Sequence, residues 1–384
     1  MDLDLTEEQE MIRRVTRDFA EREIIPVIRD YDRAERFPWE IIRKMAPLGL
    51  LGAPVPEQYG GMGIDAVSYA VMMEELGRAD TSLRTTVSVH SSLAELSILN
   101  YGTEEQRRQH LPRLTSGEII GSFSLTEPDA GSDAASLRTT ADLEGGEWIL
   151  NGNKLWVTSG GIAGLFVLFA LTDRSKGVKG ISAFLVERDA PGFSSRDIHG
   201  KMGLRSASTS ELVLQDCRIP RDNLLGQVGD GFKIAMAGLD NGRVGIAAGC
   251  VGLAQACIDA SVKYARERHQ FGRPLGSFQL IQEMISQMVV ETEAARLLVY
   301  RAAHLKNKGV RNTREAAIAK LYASETAQRA ADRALQVHGG YGYADEYPVE
   351  RYYRDARINT IFEGTSEVQK LIIGRYTLGI DAFV

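Results

Sequence analysis

The chain has 384 residues, with 45 Lys and Arg against 51 Asp and Glu, for a formal net charge of −6. That length suits about two or three structural units with sizeable cores. A content of 44% hydrophobic and 25% charged residues excludes disordered, collagen-like and disulfide-stapled classes, and the mild acidity argues against non-specific nucleic-acid binding while allowing a local basic site for a phosphorylated ligand.

The amino terminus, Met1-Asp2-Leu3-Asp4, carries neither a signal-peptide nor a transit-peptide pattern. The expected compartment is the cytoplasm, or an organelle interior if a leader has been removed. Thr6 and Gln9 have capping-box spacing, and Ile12, Val15 and Phe19 follow at helical intervals until Pro26. Further helices are predicted over 39–48, 66–76 and 104–114, with a Gly-rich turn at Gly60, Gly61 and Gly63. From residue 119 the period changes to that of strands. Gly145-Gly146 and Asn151-Gly152 are hairpin-turn signals, and 166–172, 180–186 and 211–219 read as short strands. The apolar run 164–171 is far short of the roughly twenty residues that span a bilayer and reads as a buried strand, so no membrane span is expected. The middle of the chain is therefore an antiparallel sheet or barrel of about 100 residues.

After residue 225 the helical period returns, with Ile281, Met284, Ile285, Met288 and Thr292 on one face and a second long helix over 316–335. The expected fold is α+β and multidomain: a helical domain over 1–118, an antiparallel β-barrel or sandwich over 119–225, and a helical bundle over 226–384. Separate blocks of helices and strands argue against a Rossmann alternation. Cys217, Cys250 and Cys257 include no CxxC pair and read as reduced packing residues, with no metal site expected. The chain also lacks a phosphate loop, an HExxH zinc site and a GxSxG nucleophile elbow. The GxGxxA match from Gly61 to Ala66 follows a polar segment rather than a strand and carries no dinucleotide reading.

Two stretches exceed what packing requires. Residues 123–133 (FSLTEPDAGSD) run off a strand into a loop of hydroxyls, acids and glycine that offers polar groups to an extended ligand. An ordinary turn with Asx and Ser/Thr caps is the competing reading. In 361–370 (IFEGTSEVQK), Ser366 and Gln369 have capping-box spacing, so a helix is expected to begin there with Glu363 just ahead of it. From the residues alone Glu363 is a base or a surface charge favoured by the helix dipole.

Residues 124–133, Trp156-Val157-Thr158, Arg268-His269-Gln270-Phe271-Gly272, 336–340 and 361–369, in this order, resemble the acyl-CoA dehydrogenase family across essentially the whole chain. The resemblance implies an N-terminal helical domain, a middle β-domain and a C-terminal four-helix bundle. It also implies bound FAD and oxidation of a short- or medium-chain acyl-CoA thioester to the trans-2-enoyl-CoA. In that family a base removes the α-proton while the β-hydrogen leaves as hydride to flavin N5. The thioester oxygen takes hydrogen bonds from the base residue's backbone N–H and a ribityl hydroxyl, because the α-proton is too weak an acid to be removed unaided. Glu363 occupies the position of the base. Burial beside flavin and acyl chain is expected to raise its pKa against the pull of the helix N-terminus. One subclass carries its base on a bundle helix at the position of Gly242, where a glycine has nothing to offer.

By the same resemblance Phe123, Leu125, Thr126, Gly131 and Ser132 follow the isoalloxazine ring and ribityl chain, and Trp156 and Thr158 cover the ring. Read without the family, Trp156 is a barrel-core aromatic. Arg268, Phe271, Gln279, Gln336, Gly339 and Gly340 reach the FAD of a neighbouring subunit, and Thr365, Ser366 and Glu367 close the adenine side. Contacts that cross between subunits imply a homotetramer, a dimer of dimers. Ser132, Asp240, Arg243 and Gly364 match substrate-contact positions, with a structural ion pair as the alternative for Arg243. Arg84 lies where glutaryl-CoA dehydrogenases have an arginine for the distal carboxylate. Against this, Phe362 stands where that subfamily has Tyr, and pairing with Asp80 or solvent is the other reading of Arg84. Electron transfer flavoprotein is the expected acceptor. An acyl-CoA oxidase and a non-catalytic acyl-CoA or flavin-binding protein are the alternatives from other classes.

Overall fold

A computed structural model of the chain describes residues 4–382. The capping box forms: Thr6 Oγ1 accepts from the Gln9 N–H, and the Gln9 side chain accepts from the Thr6 N–H. It starts α1 (Glu7–Phe19), which a π-helical stretch, Ala20–Ile24, joins to α2 (Ile28–Ala34), followed by α3 (Trp39–Met45) and α4 (Ala66–Ala79). Next come α5 (Thr81–Ser88), a π-helical stretch over Val89–Glu95, and α6 (Leu96–Tyr101), none of which was among the predicted helices. Every residue from 81 to 98 is buried, polar ones included. A helix enclosed on all sides has no apolar stripe for periodicity to find. α7 (Glu104–Thr115) closes the region behind a second capping box, Thr103 with Gln106.

The strands are β1 (Gly121–Ser124), β2 (Thr140–Glu144), β3 (Glu147–Thr158), β4 (Leu165–Leu171), β5 (Ile181–Glu187), β6 (Phe193–Asp197), β7 (Thr209–Pro220) and β8 (Leu224–Leu225). They form one sheet in the order β6-β7-β3-β2-β4-β5-β8, with β1 beside β4. The expected antiparallel pairing prevails, but β1 and β2 each run parallel to β4, so the sheet is mixed. β4 is the apolar run read from the sequence, buried on both faces as strands in parallel pairings are. Gly145-Gly146 makes the β2–β3 hairpin as expected. Asn151-Gly152 makes no turn: β3 passes straight through it with a register shift against β7. Gly152, at φ 149°, is needed there because a Cβ would lie 2.8 Å from the Thr139 Cα.

The last region comprises α8 (Gly231–Glu267), a small hairpin of β9 (His269–Gln270) and β10 (Arg273–Pro274), α9 (Gln279–Asn307), α10 (Thr313–His338), α11 (Val349–Ile358) and α12 (Ser366–Leu378). α8, α9 and α10 pack on one another, α12 packs on α10, and α4 lies against α8 and α9. One core therefore spans both helical regions, from Phe19 through Met72 and Leu76 to Val251 and Ala323. α8 is long and apolar enough to cross a membrane, but 83% of its apolar window is buried within the protein, which makes it the central core helix. The three cysteines are free and buried, and the described residues contain no metal-binding cluster.

Candidate active site

Gly238, Gly242, Gly245 and Gly249 recur on α8 at spacings of four, three and four, so they share one face. A Cβ added at each would meet, in turn, the Phe123 ring, the Glu363 carboxylate, Ser88 with Tyr69, and the Arg84 guanidinium. This trough brings the N-terminal helices, the polar loop after β1 and the segment before α12 to a common line.

Glu363 is the centre of it. The residue as a whole is only partly buried, yet neither carboxylate oxygen is accessible and neither has a hydrogen-bond partner. Its backbone is left-handed at φ 51° and is followed by Gly364 at φ 87°, a costly conformation for a side-chain-bearing residue that aims the carboxylate back at α8. The helix N-cap is Thr365, which accepts from the Val368 N–H, rather than the predicted Ser366, whose hydroxyl is left without a partner. Burial pushes the Glu363 carboxyl above the ordinary range, opposed by the charges of Arg84, Lys320 and Arg243. Of these three cations, Lys320 was not foreseen.

β1 and the loop after it are tied to the end of β3. Thr126 O accepts from the Leu155 N–H at 2.9 Å, and the Ser122 hydroxyl donates to Thr158 O at 2.7 Å. Beneath them lies a buried ion pair that the sequence reading missed: Lys154 Nζ, fully enclosed, donates to Glu127 at 2.7 Å and to Leu125 O at 3.2 Å. Burial pushes the Lys154 amine down to about 8 despite Glu127. Glu127 also accepts the N–H groups of Arg138 and Thr139, which hold its carboxyl below the ordinary range together with Lys154. Lys154→Met is expected to lower stability by about 3 kcal/mol because Glu127 would be left buried beside an apolar chain. Urea unfolding measures this, and an unchanged midpoint contradicts it.

Around this cradle Phe123 and Leu125 are buried, Thr126 and Thr158 partly buried, and Gly131 and Ser132 exposed, with open space beside Gly131. Trp156 is not a core aromatic. It sits at φ 58° in the second β3–β7 register shift, and the residue is 59% exposed. The Ser124 hydroxyl is buried without a partner. An exposed ring, an orphaned hydroxyl and a glycine facing open space fit a large planar ligand with a polar tail.

Arg84 is 0% exposed and its guanidinium bonds neither Asp80 nor solvent; its Nη2 donates to Asn359 Oδ1 at 3.0 Å, while Nε and Nη1 are unpartnered. Asp80 instead caps the Leu83 N–H. Arg243 pairs with Asp240 at 2.5 Å, and Asp240 also accepts from Thr313. Both readings of Arg243 therefore remain compatible, since it is an ion-pair partner beside Glu363.

The other predicted residues lie elsewhere. Arg268, Phe271, Gln279, Gln336, Gly339 and Gly340 are all exposed, Phe271 by 92%. Arg268 stacks over Tyr341 at 5.4 Å, which joins the β9–β10 hairpin to the end of α10. Gln336 is sixteen residues beyond Lys320 on α10, about 24 Å along the axis. Within one chain this set does not meet Glu363. Thr365, Ser366 and Glu367 line a separate cavity of ≈ 270 Å³ together with Arg357 and Lys370.

A helical, β, helical chain whose trough encloses one unpartnered carboxylate is the architecture of a flavoenzyme class that acts on thioesters. Three family descriptions match it: acyl-CoA dehydrogenase, N-terminal domain over residues 6–118, middle domain over 122–217 and C-terminal domain over 229–378. The chain belongs to the acyl-CoA dehydrogenase family, FAD-dependent oxidoreductases acting on acyl-CoA. It is 47% identical to a short-chain specific acyl-CoA dehydrogenase of Clostridium acetobutylicum, over 97% of this chain and 98% of that protein. It is 48% identical to the acryloyl-CoA reductase (NADH) of Anaerotignum propionicum, covering 98% and 95% respectively. Among solved structures, butyryl-CoA dehydrogenase from Megasphaera elsdenii has a TM-score of 0.96 at 43% identity, covering 98% of this chain and 100% of that one. A glutaryl-coenzyme A dehydrogenase in complex with glutaryl-CoA has a TM-score of 0.96 at 40% identity over 99% and 97%. A chain from the structure reported for the electron transferring flavoprotein of Acidaminococcus fermentans has a TM-score of 0.97 at 46% identity over 98% and 100%.

Proposed function

We propose that the protein desaturates a short-chain acyl-CoA between Cα and Cβ, with Glu363 as the base for the α-proton. The observation that carries this is the Glu363 carboxylate itself: inaccessible, without a hydrogen-bond partner, and pressed against Gly242 among three cations. A carboxylate with no protein partner has its lone pairs free for a substrate proton, and burial strengthens it as a base. Phe123, Leu125, Thr126, Gly131, Ser132, Trp156 and Thr158 hold the FAD, which when bound supplies the acceptor for the β-hydride. Arg243, Asp240 and Gly364 position the thioester, and exclusion of water by the trough keeps the carboxylate unsolvated. The short acyl chain follows the relatives, the short-chain specific acyl-CoA dehydrogenase at 47% identity and the butyryl-CoA dehydrogenase at 43%. The exposed set from Arg268 to Gly340 serves the FAD of a second subunit in a homotetramer, and electrons pass on to electron transfer flavoprotein.

Arg84 favours a second reading, a dicarboxylic acyl-CoA of the glutaryl type. Two unpartnered donors on a fully buried guanidinium, with Glu363 among the charges it feels, suit a carboxylate at the far end of the acyl chain. An acyl-CoA panel with an anaerobic dye acceptor decides. The main reading expects butyryl-CoA to be favoured by about tenfold or more over octanoyl- and glutaryl-CoA, an energy gap of about 1.4 kcal/mol. A glutaryl-CoA preference with release of carbon dioxide establishes the second, and Arg84→Met then removes it. Turnover only with oxygen, or only from enoyl-CoA with NADH, overturns both.

A further inference from the structure

We propose that Lys320 is the positioning residue of Glu363: from a buried site on α10 it holds the Gly364 carbonyl, fixes the left-handed turn that aims the carboxylate, and supplies charge that keeps the carboxylate ionised. The proposal rests on the reading of Glu363 as the base.

Lys320 is 0% exposed and sits on a face of α10 made of small buried residues, Ala316, Ala323, Ser324 and Ala327. Its Nζ donates to Gly364 O at 2.7 Å. Among the described residues no carboxylate lies within ion-pair distance of it. An ammonium enclosed against a carbonyl alone is an expensive placement that an apolar side chain would avoid, so packing does not account for it. The turn it grips is strained, with Glu363 and Gly364 both at positive φ. Gln369 grips the same turn from α12, its Nε2 donating to Gly364 O at 2.9 Å and to Glu363 O at 3.3 Å. Two helices thus converge on one carbonyl next to the reactive residue.

The titratable groups that face Glu363 are Tyr69 on α4, Arg84 on α5, Arg243 and Cys250 on α8, and Lys320 on α10; burial pushes Tyr69 up to about 12 and Cys250 up to about 11, so the charges are those of Arg84, Lys320 and Arg243. Lys320 in turn feels Cys250, Glu363, Arg243 and Glu367. Arg243 already has Asp240 as its partner, and Arg84 is tied to the neutral Asn359. Lys320 is the cation joined directly to the Glu363–Gly364 turn. Burial pushes its amine down to about 8, which leaves it charged at neutral pH.

The test is the pH dependence of anaerobic flavin reduction by butyryl-CoA in the FAD-loaded enzyme and in Lys320→Met, Lys320→Gln and Lys320→Arg. Loss of the cation raises the Glu363 pKa, so in the Met and Gln variants the acidic limb moves up by about one pH unit. Reduction at pH values below that limb is then about tenfold slower, while KM stays within about twofold. The Arg variant returns the limb to the wild-type position. If the Met variant does not fold, Gln, which keeps a donor without the charge, gives the reading. An unmoved limb in the folded neutral variants overturns the proposal. So does failure of both neutral variants to fold while Arg folds, which would make the lysine a purely structural ion. A Glu363→Gln enzyme that still reduces flavin removes the base reading itself; a dead Glu363→Gln with an unmoved limb removes only Lys320.

Discussion

Glu363→Gln is expected to slow acyl-CoA dehydrogenation on the order of 10³- to 10⁴-fold, the contribution of a well-placed general base, while the flavin stays bound. The substitution is nearly isosteric and removes only the proton acceptor. It leaves the Glu363–Gly364 turn in the grip of Lys320 and Gln369 and leaves the loop after β1 untouched. It also removes an ionised group from a site where burial disfavours it, so stability should hold or rise. The pH profile follows the same logic. An acid whose folded pKa is raised becomes a competent base only as pH climbs through that raised value, so the wild-type rate rises along a limb lying above the ordinary glutamate range. The Gln variant has no such limb. Turnover with a dye acceptor measures both.

Gly242→Ala is expected to cost on the order of 100-fold in turnover with FAD retained, the effect of a misplacement of about 1 Å at the reacting groups. A methyl group there would overlap Glu363 Oε2 and press on the Leu93 side chain, 3.2 Å from the added carbon. The carboxylate is the softer of the two and must move. α8 is fully helical at this point, so alanine suits its backbone, and near-normal melting with lost activity is the signature. Wild-type turnover in this variant would mean that the carboxylate does not work from where it lies against α8.

Local signals were legible where their chemistry is local. Thr6 with Gln9 capped α1, Gly145-Gly146 turned the β2–β3 hairpin, and the run 164–171 became the buried strand β4. Asn151-Gly152 misled because a glycine needed for close approach of Thr139 looks the same in one dimension as a turn glycine. Residues 81–98 were silent for the opposite reason, since burial on all sides erases amphipathic period. At the site, Glu363 stood out only together with the other motifs. Its surroundings were not readable, because Arg84, Arg243 and Lys320 lie 279, 120 and 43 residues before it. Lys320 and Lys154 did leave a trace: each is a charge at a position where helical or strand spacing calls for an apolar residue, between Ala316 and Ala323 in one case and in the even-numbered line of Trp148 and Leu150 in the other. A buried cation out of pattern is worth weighing as part of a site.

The most direct measurement is an anaerobic titration of the FAD-loaded protein with butyryl-CoA, wild type beside Glu363→Gln, followed by flavin absorbance and product analysis. The account predicts that the wild-type flavin bleaches with formation of the enoyl-CoA and that the Gln variant binds the thioester and stays yellow. Equal bleaching in both, or a wild type that binds FAD and butyryl-CoA without any change in the flavin, would contradict it.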